Sequence, residues 1–181
     1  MAAPRPYRDY IAWLQQQDLC QAESFWRLAL AGITNATSLG LSKPAPRMPP
    51  AARSVGEEMQ SLPAATMVDL QILLRRWQLT LNTLIHGVWA LLLGRYSGEQ
   101  RVVFGSVVAG RPGDLERVES MIGLFINTLP VIVQPESPKR LAAWLAELQT
   151  WLAHARRFEH TPLLEIQGWS ERGPHAYFRL V

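Results

Sequence analysis

Between Thr80 and Gly98 the chain reads TLNTLIHGVWALLLGRYSG, with Leu81, Leu84, Ile85, Val88, Trp89, Leu92 and Tyr96 at helical spacing. A stripe of that length predicts a helix that must lay one side against another layer. Thr80 or Asn82 can cap its start by accepting from the unpaired N–H groups of the first turn, and Gly98 stops it. Its most apolar part, 81–93, falls short of the ~20 residues a bilayer demands. It also carries Asn82, Thr83 and His86, so the expectation is a buried helix of a soluble protein.

Such a helix needs enough chain around it to build a core. With 181 residues, 48% of them hydrophobic and seven of them Trp, the sequence fits one folded domain. The net charge of +3 comes without a Lys/Arg run or a ladder of basic and aromatic residues, so no nucleic-acid partner is expected. Cys20 is the single cysteine, which excludes an internal disulfide and a Cys-based zinc site and fits a reducing compartment. The opening MAAPRPYRDY has no apolar signal core. A cytoplasmic protein with no membrane partner is expected.

Two amphipathic helices are predicted first, over 7–18 and 19–32, followed by a proline-rich surface connection over 33–54. A short strand is expected at Val55–Leu62 and a helix at Ala64–Gln78, with Leu70, Leu73, Leu74 and Trp77 on one face. After the 80–98 helix, the β-branched run RVVFGSVVAG (101–110) predicts a strand. Met121–Gln134 predicts another. A long helix over Pro138–Glu159 is expected to be capped by Ser137, with Pro at its first position. This interleaving predicts the α/β class with a mixed β-sheet flanked by helices.

Standard catalytic signatures are absent: there is no GxSxG, P-loop, GxGxxG or HExxH segment. Ser106, alone inside a predicted strand, reads as structural. His86, placed on the polar side of its helix, reads with His154, His160 and His175 as surface or capping residues, not metal ligands. Cys20 reads as a half-buried thiol, and Glu57 and Glu58 alternate across a strand, so they cannot work as a pair. Asn127 and Thr128, in the middle of MIGLFINTLPVIV, stand out because Asn is depleted in strands. On an extended strand Asn127 shares a face with Phe125 and Leu129, and Thr128 with Ile126 and Ile132. Its amide either ties a neighbouring loop to the strand or meets a ligand.

Several segments in order resemble the C-terminal half of a nonribosomal peptide synthetase condensation domain. YRDYIAW (7–13) is similar to that family's Y-x-D-[FY]-A-x-W motif, contributing Tyr7, Asp9 and Trp13. FGSVVAGRP (104–112) with MIGLFINTLP (121–130) resembles its strand–loop–strand motif, which includes Gly123 and Thr128. HTPLLEI (160–166) resembles its His-x-x-[FL]-x-x-[IL] segment, with His160 and Pro162.

The resemblance implies one lobe of a chloramphenicol-acetyltransferase-like pair, with 1–171 as an incomplete C-terminal subdomain and 172–181 as a divergent tail. It implies amide-bond formation between units carried as thioesters on the phosphopantetheine arms of peptidyl carrier proteins, with no cofactor bound directly. The family's catalytic H-H-x-x-x-D-G motif belongs to the N-terminal lobe, and no such segment occurs here. No catalytic residue is therefore assigned, and an isolated chain is expected to be inactive and prone to self-association unless that lobe covers it. Asn127, Phe125, Ala109 and Arg111 are expected along the substrate channel, with Ala109 standing where the family often has Ser. Two other classes remain open: a carrier-protein docking module, and an oligomeric acyltransferase using His86 or His160 between subunits.

Overall fold

The computed structural model describes residues 4–33, 37–38, 56–135 and 140–170. Helices α1 (Arg8–Leu14) and α2 (Leu19–Leu30) open the chain. Asp18 separates them, its carboxylate accepting from the N–H groups of Cys20 and Gln21 at 2.9 and 3.4 Å, which satisfies donors of the first turn of α2. Helices α3 (Ala64–Trp77) and α4 (Leu81–Ser97) meet at a sharp corner. There Gln78 takes a left-handed conformation (φ 56°) and Thr80 accepts from the Thr83 N–H at 3.1 Å. Gln149, from helix α5 (Leu141–Arg156), clamps this corner. Its carbonyl oxygen accepts from the Thr80 N–H and the Thr83 hydroxyl, and its amide donates to the Gln78 carbonyl.

Strands β1 (Val102–Val108) and β2 (Asn127–Val133) form an antiparallel ribbon, the sheet of the described residues. The register sets Val102 opposite Val133, Gly105 opposite Pro130 and Val108 opposite Asn127. One face of the ribbon carries Val102, Phe104, Ser106 and Val108 with Leu129, Val131 and Val133. Against it pack Leu74, Ala90 and Leu93 of α3 and α4 and Trp144, Leu145 and Leu148 of α5. Toward the Asn127 end, Leu129 joins a second cluster with Trp26 and Leu30 of α2 and Ile166 of α6 (Leu163–Gly168).

Several boundaries differ from those expected, with α1 ending at Leu14 and α5 at Arg156. Residues 56–62 are irregular and exposed, not a strand, and Val55 lies outside the described residues. Strand β2 begins at Asn127 instead of Met121, because the backbone before it folds around the Arg111 guanidinium, which takes the Val118 and Met121 carbonyls. Helix α5 begins at Leu141, after an extended Arg140 (ψ 142°). Ser137 therefore does not cap it; Ser137 and Pro138 lie outside the described residues, as does the 172–181 tail.

Helix α4 turns the opposite way from the one its stripe predicts. Thr83, His86, Gly87, Ala90 and Leu93 are buried, while Ile85, Val88 and Tyr96 are 58, 56 and 62% exposed. The cause is close packing: a Cβ on Gly87 would lie 2.5 Å from Leu145 Cδ2, and one on Gly94 2.5 Å from Pro135 Cγ. The small-residue face lets α5 come near, and the large side chains are left outside. Gly87→Val should therefore lower stability by about 1–3 kcal/mol through overpacking. Val88→Ser, one residue on, should stay within about 0.5 kcal/mol as an exposed change. Urea unfolding of the two variants tests this phase directly.

Candidate functional site

The motif residues at the start of the chain meet those of the 109–126 loop. The Tyr7 hydroxyl donates to the Leu124 carbonyl at 2.5 Å, and its ring sits edge-on to Phe125 at 5.2 Å. Gly123 makes that approach possible, since a Cβ there would lie 2.1 Å from Tyr7 Cδ2. Asp9 pairs with Arg5, which also donates to the Glu116 carbonyl at 2.8 Å. Trp13 donates from its indole N–H to Asp114 at 3.3 Å and meets the His160 ring edge-on at 5.7 Å.

Arg111 stacks over Phe125, its guanidinium carbon 4.1 Å from the ring centroid, while its N–H groups hold the Val118 and Met121 carbonyls. Gly110 completes the turn at φ +64°, where a Cβ would lie 1.8 Å from the Phe125 carbonyl oxygen. Tyr10, Leu115, Val118, Met121 and Phe125 form the core beneath.

Asn127 joins this assembly to the end of α5. Its amide nitrogen donates to the Glu159 and Thr161 carbonyls at 2.8 and 2.7 Å, and its Oδ1 accepts from the Thr128 N–H at 2.8 Å. Both of its N–H groups are therefore used within the chain, and the loop-tying alternative describes the geometry. Thr128 stands opposite Val107 in the ribbon. Pro162 precedes the first turn of α6.

Between the ribbon and α5 lies a cavity of about 400 Å³, bordered by Asn82, Ser106, Ala109, Arg111, Trp151 and Glu159 among others. It divides the four residues expected along a channel. Ala109 and Arg111 border it, whereas Phe125 is buried in the aromatic cluster and Asn127 is spent on the 159–161 loop.

Burial sets the electrostatics here. Desolvation lowers the His160 pKa below 6.5, opposed by the nearby Asp114 carboxylate, and His160 Nε2 is buried without a partner among the described residues. Desolvation raises the Glu159 carboxyl, with Arg156 opposing. Tyr10 is raised by its own burial first and then by Tyr7 and Glu159.

His86 and Ser106, read from sequence as surface and structural residues, form a pair instead. His86 is buried, its Nδ1 2.7 Å from the Asn82 carbonyl and its Nε2 2.8 Å from Ser106 Oγ. The missed signal is a second helical stripe, Thr83, His86, Gly87, Ala90 and Leu93, made of smaller residues than the first. His154 is exposed, Cys20 is exposed rather than half-buried, and His175 lies outside the described residues. Among the described residues, no group of three or more His, Cys, Asp or Glu side chains is placed to hold a metal ion. No helix among them is long and apolar enough to cross a membrane.

A family model described as "Condensation domain" matches residues 2–176. The chain belongs to the condensation-domain family. It is 50% identical over 168 residues to a component of the linear gramicidin synthase of Brevibacillus parabrevis, covering 92% of this chain and 3% of that protein. It is 34% identical over 169 residues to bacitracin synthase 3 of Bacillus licheniformis, covering 93% and 3%. The condensation-domain chain thus spans a very small part of these synthases.

Among solved structures, the X-domain from teicoplanin biosynthesis superposes with a TM-score of 0.74 at 26% identity, over 94% of this chain and 39% of that one. A four-domain nonribosomal peptide synthetase bound to AMP and glycine gives a TM-score of 0.71 at 22% identity, over 85% and 11%, and supports the fold alone. The chloramphenicol-acetyltransferase-like α/β fold is thereby shown.

Two outcomes follow for this condensation-domain lobe. Asn127→Ala leaves the Glu159 and Thr161 carbonyls without their donor, and should destabilise the chain by about 1–3 kcal/mol, read from urea midpoints. The second concerns pH. The lowered His160 pKa means that the unfolded chain binds more protons than the folded one between the folded value and 6.5. This contribution to stability is complete above 6.5 and is lost as pH falls. Glu159, with its raised pKa, acts in the opposite sense: its contribution is present below 4.5 and is lost as pH rises. The melting temperature of the wild type should therefore fall more steeply from pH 7.5 to 5.5 than that of His160→Gln, the difference curve isolating His160.

Proposed function

We propose that this chain is the acceptor-side lobe of a condensation domain and that it works only against an N-terminal lobe bearing H-H-x-x-x-D-G. The single observation that supports the two-lobe reading is the bare outer face of α4. Ile85, Val88, Trp89, Leu92 and Tyr96 are all exposed there, an apolar surface of the kind that marks an interface. In this reading the acceptor's amine attacks the donor thioester carbonyl, a C–N bond forms, the C–S bond breaks and the carrier thiol leaves. A His of the other lobe handles the proton.

This chain's part is positional. Ala109 and Arg111 border the acceptor path, while Phe125 and Asn127 hold the wall behind it. Peptidyl carrier proteins are the partners, and their phosphopantetheine arms deliver the substrates. The lobe comprises residues 1–171, with 172–181 as a divergent tail.

With donor and acceptor carrier proteins loaded and this chain alone added, dipeptidyl-carrier formation should equal the no-enzyme control by mass spectrometry. Adding a separately produced N-terminal lobe should raise it by at least the ~10²–10⁴-fold that general acid–base assistance contributes. The same addition should quench binding of a hydrophobic dye to the chain. Product from the chain alone, abolished in a His86 or His160 variant, would favour the oligomeric acyltransferase.

A further inference from the structure

We propose that Ser106, activated by His86, is a nucleophile that accepts the acyl group of a small thioester held in the neighbouring cavity. The Asn82 carbonyl can only accept, so Nδ1 of His86 carries the proton at the 2.7 Å contact. Nε2 is then the acceptor for the Ser106 hydroxyl at 2.8 Å. A hydroxyl on a base that is itself oriented by a third group is the arrangement of an activated nucleophile.

The pair is also placed for a substrate. Ser106 stands between buried His86 and the cavity of about 400 Å³, whose wall includes Val108, Leu129, Pro130, Trp151 and Leu152. That part of the wall offers a short acyl chain apolar contact, while Arg111, Arg156 and Glu159 line the rest. Asn82 and Arg156 border the same space and carry N–H donors at its wall.

In the step itself, Ser106 Oγ bonds to the thioester carbonyl carbon as its proton passes to His86 Nε2. The C–S bond then breaks, and the thiolate leaves as thiol with the proton from His86. The product is a seryl ester, which water returns to free Ser106 and a carboxylic acid. No part of the condensation reading uses this step, so its failure would leave that reading standing.

The whole chain is incubated with the N-acetylcysteamine thioester of isobutyrate and followed by intact mass, with the adduct mapped by peptide sequencing. The expected result is one isobutyryl group on Ser106, released thiol at least equal to the adduct, no Ser106 adduct in Ser106→Ala, and labelling at least ~100-fold slower in His86→Gln. Circular dichroism melts establish that each variant is folded. If a variant does not fold, the wild-type mapping decides alone. Acylation confined to Cys20, the exposed thiol, or no adduct at all, would overturn the proposal. So would an unchanged rate in a folded His86→Gln.

Discussion

Everything on the helical side of this lobe follows from how closely α4 and α5 approach. Gly87 removes the one Cβ that would meet Leu145, and Ala90 and Leu93 continue the contact onto the ribbon. Dense packing leaves little room for adjustment, so this contact fixes the rotation of α4 about its own axis. That rotation has two results. It carries His86 inward, onto Ser106 of β1, and it turns Val88, Trp89 and Tyr96 outward. The buried polar pair and the bare apolar face are two sides of one packing decision.

The motif segments have a different kind of role. Tyr7, Trp13, Arg111, Gly123, Phe125 and His160 come from three distant stretches, yet they contact one another or one shared loop, and Asp9 reaches that loop through Arg5. Their hydrogen bonds run mainly to backbone carbonyls, which an irregular loop must satisfy somehow. The motifs describe how a loop of this shape is held.

Much of the frame is legible in the sequence because it depends on local rules. Thr80 and Gly98 bound α4 as capping chemistry predicts, and the β-branched run forms β1. The phase of α4 is not legible, because the residues from Leu81 to Tyr96 offer two apolar faces. Size, not polarity, decides which one meets α5, and the size of the gap is set by α5 itself. The start of β2 is hidden for a similar reason: Met121–Ile126 has the composition of a strand, but Arg111, ten residues before Met121, takes its backbone acceptor. Asn127 stands out in the sequence as unusual, while its partners, on the 159–161 loop, lie beyond what spacing along one strand can reveal.

Gly110 and Gly123 carry a consequence for how such a sequence can change over time. One faces a carbonyl and the other a tyrosine ring, each at a distance that excludes a Cβ. Every amino acid reachable from a glycine codon by one base change has a Cβ, and none is smaller than alanine. At most positions a gene can drift through neighbours of similar size, but here each first step runs into the Phe125 carbonyl or Tyr7. Gly123 can change only together with Tyr7, which binds the loop to the N-cap residue of α1 in inheritance as in space, while the backbone carbonyl facing Gly110 is one that no substitution at Phe125 removes.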